Sequence, residues 1–155
     1  MANAKLECMA LPAFNDDGDL PPGVYCATLR EVRARFGEGS AQREAVAERL
    51  DRIYWLAQST GKVTRFVVFG SFVTDEPYPN DVDIVMLMDD TFDLGVVSDD
   101  VALLFHHADA DAYFGASIFW TRELAALGGA QDMIEYWQTR RDGRLRGIVE
   151  ITGDA

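Results

Sequence analysis

The chain has 155 residues, 48% of them hydrophobic, and a formal net charge of −12. This length and apolar content suit one packed domain, and the acidic balance disfavours non-specific nucleic-acid binding, which needs clustered Lys and Arg. No apolar run approaches the ~20 residues that span a bilayer and no hydrophobic leader follows Met1, so we expect a cytoplasmic protein that does not bind membranes.

The first 26 residues are rich in turn-forming residues, including the Asn-Asp-Asp-Gly run at 15–18 and several prolines. They predict an extended N-terminal arm with a turn over residues 1–26, followed by a single domain over residues 27–155. The arm contains Cys8 and Cys26. In a chain without a leader, two reduced thiols are the leading interpretation and a disulfide is the alternative.

Two amphipathic helices are predicted next. Thr28 begins the first, with Glu31 at the capping-box position, and Gly37 ends it. Ser40 begins a longer helix that runs to about residue 59, with charged residues such as Arg43 largely outside its apolar stripe. The apolar residues that recur at helical spacing in the two helices are Leu29, Val32, Phe36, Val46, Leu50, Ile53 and Ala57.

The remaining chain alternates strands and helices. Strands are predicted over 63–69, 81–88, 113–120 and 145–151. Helices are predicted from 98 to about 108, from 121 to the Gly-Gly pair at 128–129, and over 131–138. This order predicts an α/β (α+β) fold, with helices packed on a mixed β-sheet of about four strands.

The clearest indication of chemistry lies between the first two predicted strands. Gly70 and Ser71 end one strand, and after nine intervening residues Asp81 and Asp83 begin the next. Strand residues two apart share a face, so the two carboxylates need a cation or a proton between them. The glycine permits close approach of a phosphate, to which Ser71 can donate a hydrogen bond. The pattern predicts a site for a divalent metal and a nucleoside triphosphate, suited to attack on the α-phosphorus.

Two motifs, Gly70–Ser71 and Asp81–Asp83, lie between hydrophobic strands. Together they resemble the signature of the polymerase-beta-like nucleotidyltransferase superfamily. The run Leu11–Gly23 is similar to the "LP…PPG" arm of a small nucleotidyltransferase-like subgroup within it. The resemblance implies that Gly70 and Ser71 contact the phosphates of an NTP such as ATP. It also implies that Asp81 and Asp83 bind Mg²⁺ (or Mn²⁺), and that a nucleotidyl group passes to a hydroxyl acceptor.

Active members of that superfamily usually add a third carboxylate on the next core strand. Asp111, at the start of the predicted strand 113–120, is the first candidate for a catalytic third acid, and Asp109 is the second. Ser117 lies on the same side by alternation, and if it holds this position the carboxylate has been lost. The alternative function is therefore a catalytically impaired binding module, such as a toxin–antitoxin or phage-defence component with a protein partner.

Two further groups of residues have two interpretations each. His106 and His107 either interact favourably with a helix C-terminus or act as a metal ligand or general base. An arginine cluster near the C-terminus is either a solvated turn and strand end or a triphosphate clamp, because guanidinium matches phosphate oxygens bidentately. The cluster comprises Arg140, Arg141, Arg144 and Arg146.

Overall fold

The computed structural model describes residues 9–126 and 128–154. These residues form a mixed five-stranded sheet with helices packed on it, which confirms the predicted class and adds one strand to the predicted number. The strands are β1 (Val24–Ala27), β2 (Val63–Phe69), β3 (Val82–Met88), β4 (Ala116–Arg122) and β5 (Ile148–Ile151). The α-helices are α1 (Leu29–Phe36), α2 (Ala41–Gln58), α3 (Asp99–Ala102), α4 (His107–Phe114) and α5 (Ala130–Tyr136).

The sheet order is β1-β5-β2-β3-β4. β1 pairs with β5 and β3 pairs with β4 in parallel, whereas β2 is antiparallel to both of its neighbours. The added strand β1 lies across the predicted boundary between arm and domain. Cys26, within β1, is disulfide-bonded, so the leading interpretation of a reduced thiol is wrong for this residue. Cys8 lies outside the described residues.

The first two helices begin as predicted because their caps satisfy otherwise unpaired N–H groups. Thr28 Oγ1 accepts a hydrogen bond from Glu31 N at 3.1 Å, and Ser40 Oγ accepts one from Arg43 N at 3.1 Å. Gly37 ends α1 by donating its N–H to the Arg33 carbonyl oxygen at 2.9 Å. Within the described part of the chain, every helix is too short or too polar to cross a bilayer.

The segment before β4 differs from the prediction. The expected helix from 98 to about 108 is interrupted at His106, and a second helix, α4, extends over Tyr113 and Phe114, the first two residues of the predicted strand 113–120. Ala110 and Phe114, one helical turn apart, are buried against the core and hold α4 in place. Gly115 adopts a left-handed conformation (φ 62°) that ends α4, so β4 begins only at Ala116.

The two faces of the sheet are packed unequally. The main core lies between one face and helices α1 to α4. The other face carries a smaller cluster, centred on Val67, Val85, Leu87, Ile134 and Ile148, that α5 covers. The part of this second face beyond α5 is open, and the candidate functional site lies there.

Candidate functional site

The candidate site is built on the second face, where β2 ends and β3 begins. The strand register pairs Phe69 of β2 with Asp83 of β3, and Asp83 with Ser117 of β4. Ile84 belongs to the main core, and side chains alternate along a strand, so Asp83 projects toward the second face. Asp81 directly precedes β3, and its Oδ2 accepts a hydrogen bond from Ser117 Oγ at 3.4 Å. The structure thus brings Asp81, Asp83 and Ser117 together.

Gly70 places the backbone directly against Asp83. Its φ is +83°, a backbone conformation that residues with a side chain rarely adopt. A Cβ atom added to Gly70 would also collide with the Asp83 carboxylate. Ser71 then begins a 3₁₀ turn, Ser71–Val73, and lines the same pocket as Asp83. Two independent causes therefore require glycine at this position: the backbone angle and the adjoining carboxylate.

Arg43 of α2 holds the backbone that follows Ser71. Its guanidinium donates hydrogen bonds to the carbonyl oxygens of Phe72 at 2.9 Å and Thr74 at 2.6 Å, and also to that of Glu76. Arg43 is only 6% exposed, although the sequence placed it on the polar side of its helix. It is buried because it satisfies carbonyl groups of a loop about thirty residues away in sequence. Periodicity within one helix carries no signal for such a contact.

The carboxylate pair is electrostatically strained. The pKa of Asp83 is raised from 3.8 to about 6, mainly because burial disfavours the charged form and secondly because Asp81 carries a like charge. The charges of Arg146 and Arg141 and the hydrogen bond of Ser117 act in the opposite direction. A carboxylate with such a pKa in a pocket is a candidate functional group, because active sites concentrate shifts of this kind.

The two carboxylates fit a Mg²⁺ or Mn²⁺ ion whose other ligands are substrate phosphates and water. Burial is the main cause of the raised pKa of Asp83, and the like charge of Asp81 adds to it; a bound cation would relieve this repulsion. Within residues 9–126 and 128–154, no three His, Cys, Asp or Glu side chains group in a way that could hold an ion by themselves. A metal at Asp81 and Asp83 would therefore rely on the phosphates of its ligand.

Asp111 does not join this pair. The prediction that it starts a strand is wrong: it lies exposed on α4, where it lines a separate groove with Arg49 and Arg52. Asp109 is exposed on the same helix. Ser117 instead occupies the β4 position beside Asp83, which the sequence analysis considered as a lost carboxylate. The structure places a hydroxyl where the resemblance leads one to expect a third acid.

A pocket of about 730 Å³ opens beside the carboxylates and has an aromatic lining. The ring of Trp137 lies 4.8 Å from those of Phe69 and Phe119, and the ring of His107 lies 5.0 Å from that of Phe119. Aromatic faces of this kind can stack on a nucleobase. The sequence analysis did not assign Phe69, Phe119 or Trp137 to a site, because they are spread over β2, β4 and the end of α5 without a motif.

The same pocket is lined by Arg140, Arg141 and Arg146, so three of the four clustered arginines lie at the site. Arg140 forms an ion pair at 3.0 Å with Asp19, which is 7% exposed and belongs to the N-terminal segment. Burial lowers the pKa of Arg146, and the charge of Arg140 lowers it further. A guanidinium nevertheless keeps its proton in proteins. The pocket therefore presents fixed positive charge beside the two carboxylates.

Comparisons with known proteins give one match. A model described as a family of unknown function (DUF6932) matches residues 12–152, which is most of the chain. No curated protein and no solved structure matches the chain significantly.

Proposed function

Since the chain belongs to this family, whose description assigns no activity, we propose from the pocket that it is a Mg²⁺-dependent nucleotidyltransferase-like protein. It binds an NTP and transfers the nucleotidyl group to a hydroxyl acceptor. The observation that carries the proposal is the contact of Gly70 with Asp83 beside Ser71 and Asp81. The resemblance of these motifs to polymerase-beta-like nucleotidyltransferases supports it.

The pocket offers contacts for the phosphates and for the base of an NTP. Ser71 and the backbone after Gly70 lie where phosphate oxygens can accept hydrogen bonds. The rings of Phe119 and Trp137 provide an apolar surface for the base. When bound at the carboxylate pair, Mg²⁺ would neutralise phosphate charge and favour attack at the α-phosphorus. The volume of about 730 Å³ is within the range of small-molecule sites.

In the proposed reaction the acceptor oxygen bonds to the α-phosphorus. The bond from that phosphorus to the α,β-bridging oxygen breaks, and pyrophosphate leaves with the electron pair. We assign the acceptor proton to His107, which lines the pocket. Its Nδ1 lies 3.4 Å from the carbonyl oxygen of Ile118. If this contact is a hydrogen bond, Nδ1 donates it because a carbonyl only accepts, and Nε2 is then the nitrogen that would take the acceptor proton.

The test measures Mg²⁺-dependent pyrophosphate release from ATP, GTP, CTP and UTP with RNA ends, small hydroxyl compounds and proteins as acceptors. Asp83→Asn should reduce release at least ~100-fold, because it removes charge that balances the cation. His107→Gln should lower the rate ~100-fold or more while leaving NTP affinity nearly unchanged. Asp111→Asn, on α4, is the matched control and should retain activity. Equal loss in the Asp83 and Asp111 variants would show that the site is wrongly placed.

Ser117 favours a second candidate function. With a hydroxyl beside Asp83 in place of a third acid, the same pocket suits a binding module that holds Mg²⁺·NTP without turnover. Such a module would act through a protein partner, as in a toxin–antitoxin or phage-defence pair. Calorimetry combined with the pyrophosphate assay separates the two functions: a Mg²⁺-dependent gain in NTP affinity that Asp83→Asn removes, without pyrophosphate release from any acceptor, favours the binding module. Absence of any Mg²⁺·NTP binding contradicts both.

A further inference from the structure

The connection between α5 and β5 is a hairpin that carries all four clustered arginines, here named the arginine hairpin (residues 138–146). Its backbone is closed by hydrogen bonds from Arg140 N to Arg144 O at 2.8 Å and from Arg146 N to Gln138 O at 2.9 Å. The arginines therefore project from a hydrogen-bonded frame between α5 and β5. In a chain with a net charge of −12, this is an unusual local concentration of positive charge.

Two of the four arginines are occupied by carboxylates. Arg140 pairs with Asp19 at 3.0 Å. Arg144 pairs with Asp142 at 3.2 Å within the hairpin and approaches Asp17 at 3.7 Å. The Arg144 pairs are exposed and contribute little to stability, whereas Asp19 is nearly buried. The pairing with Asp19 therefore fixes the position of the hairpin.

The other two, Arg141 and Arg146, line the pocket. Among the described residues, neither guanidinium forms a hydrogen bond or a salt bridge; Arg146 is half-buried, whereas Arg141 is exposed. Both lie within electrostatic range of Asp83, because their charges lower its pKa. A half-buried guanidinium without a protein acceptor has lost part of its hydration, and a bound anion would supply the missing contacts. Ser71, which begins the 3₁₀ turn Ser71–Val73, lines the same pocket.

The N-terminal segment holds the hairpin against the rest of the site. The side chain of Asn15 accepts a hydrogen bond from Asp19 N at 3.1 Å, which closes the turn that presents Asp19 to Arg140. The carbonyl oxygen of Gly18 accepts one from Asp75 N at 2.9 Å, just after the 3₁₀ turn that begins at Ser71. One turn of the N-terminal segment thus connects the arginine hairpin to the 3₁₀ turn Ser71–Val73.

We propose that Arg141 and Arg146 form a binding site for the polyphosphate chain of a nucleotide, with Asp19 as the positioning residue that holds the arginine hairpin through Arg140. The nucleotide identity of the ligand rests on the proposed function, but the anion site does not need the metal. Two guanidiniums facing a serine turn can contact several phosphate oxygens at once, so a tripolyphosphate binds more tightly than orthophosphate.

The test is calorimetric titration with sodium tripolyphosphate in EDTA, so that no divalent metal is present. Arg146→Ala and Arg141→Ala should each weaken binding at least ~10-fold, which corresponds to the loss of one charge-assisted contact. Arg144→Ala is the matched control, because it removes the same charge from the same hairpin outside the pocket. It should change affinity less than ~3-fold. Equal losses in all three variants would show non-specific charge attraction and overturn the proposal.

Two further measurements separate this site from the carboxylate site. Asp83→Asn should retain or strengthen metal-free tripolyphosphate binding, because it removes a nearby negative charge. Asp19→Asn should weaken it several-fold with an unchanged circular dichroism spectrum, whereas a purely structural Asp19 would leave the affinity of the folded variant unchanged. If wild-type protein binds Mg²⁺·ATP but not tripolyphosphate, the binding site at Arg141 and Arg146 is refuted and the proposed function stands. If it binds tripolyphosphate through Arg146 but never turns over an NTP, the arginine binding site is supported and the transferase function is refuted.

Discussion

Replacing Asp83 by Asn should stabilise the protein at neutral pH. In the folded state the pKa of this carboxyl is raised to about 6 from an ordinary value of 3.8, mainly by burial and next by the charge of Asp81. Below pH 3.8 the group is protonated in both the folded and unfolded states and has no effect on stability relative to the neutral side chain. As the pH rises through about 6, the folded state must hold a disfavoured charge, and stability is lost.

The size of the effect follows from the pKa difference. A shift of ~2 units corresponds to ~3 kcal/mol, since each unit is worth about 1.4 kcal/mol. Asp83 retains some contact with solvent, and an Asn amide must also be desolvated, so we expect a net gain of about 1–2 kcal/mol for Asp83→Asn above pH 7. For a chain of this length that gain raises the unfolding midpoint by roughly 2–8 °C.

The assay is thermal unfolding of wild type and Asp83→Asn in EDTA at pH 4, 5, 6, 7 and 8. The difference in midpoint should be smallest at pH 4 and reach a plateau above pH 7. Asp111→Asn, an exposed change on α4, is the control and should alter stability by less than about 0.5 kcal/mol at every pH. Adding Mg²⁺ together with ATP should raise the midpoint of wild type more than that of Asp83→Asn. A variant that is less stable than wild type at pH 8, or a difference independent of pH, would refute the reasoning.

Three other substitutions test separate parts of the site. Arg43→Ala should lower the free energy of unfolding by about 3–5 kcal/mol in urea titrations, because buried carbonyl groups lose their donor. Arg33→Ala, the control, breaks an exposed ion pair and should lower it by about 0–1 kcal/mol. Ser117→Asp should lower the free energy of unfolding in EDTA by about 1–2 kcal/mol and raise Mg²⁺ affinity; unchanged stability together with unchanged Mg²⁺ affinity would place Ser117 away from the pair. Phe119→Ala should weaken ATP binding by about 1–3 kcal/mol and leave tripolyphosphate binding unchanged, and equal weakening of both would exclude a stacking role.

The sequence predicts the part of the site that is local in the chain. Gly70–Ser71 and Asp81–Asp83 flank one connection between neighbouring strands, and alternation alone places both carboxylates on one face. The helix caps at Thr28 and Ser40 are likewise local, since a hydroxyl side chain bonds to an N–H three residues ahead. These predictions needed no knowledge of long-range pairing, and the observed elements agree with them within a residue or two.

The missed features depend on contacts distant in sequence. The aromatic pair Tyr113–Phe114 suggested a strand, but Phe114 is buried as part of a helix that Gly115 ends. The combination of Ala110 and Phe114, four residues apart, before a glycine was the available signal for that helix. No comparable signal marked Arg43 as buried or Phe119 as part of a pocket, because both roles arise only when separate strands and loops pack together.

The electrostatics of the pocket bear on which of the two proposed functions applies. Ser117 beside Asp83 removes one negative charge relative to a site with three carboxylates, and Arg141 and Arg146 add positive charge to the same pocket. Both differences reduce the number of cations needed to balance a polyphosphate. If the proposed nucleotide site is correct, strong metal-free affinity combined with weak Mg²⁺ dependence would indicate that Arg141 and Arg146 dominate binding. Affinity that rises steeply with Mg²⁺ would indicate that Asp81 and Asp83 hold the metal, and pyrophosphate release would then distinguish the enzyme from the binding module.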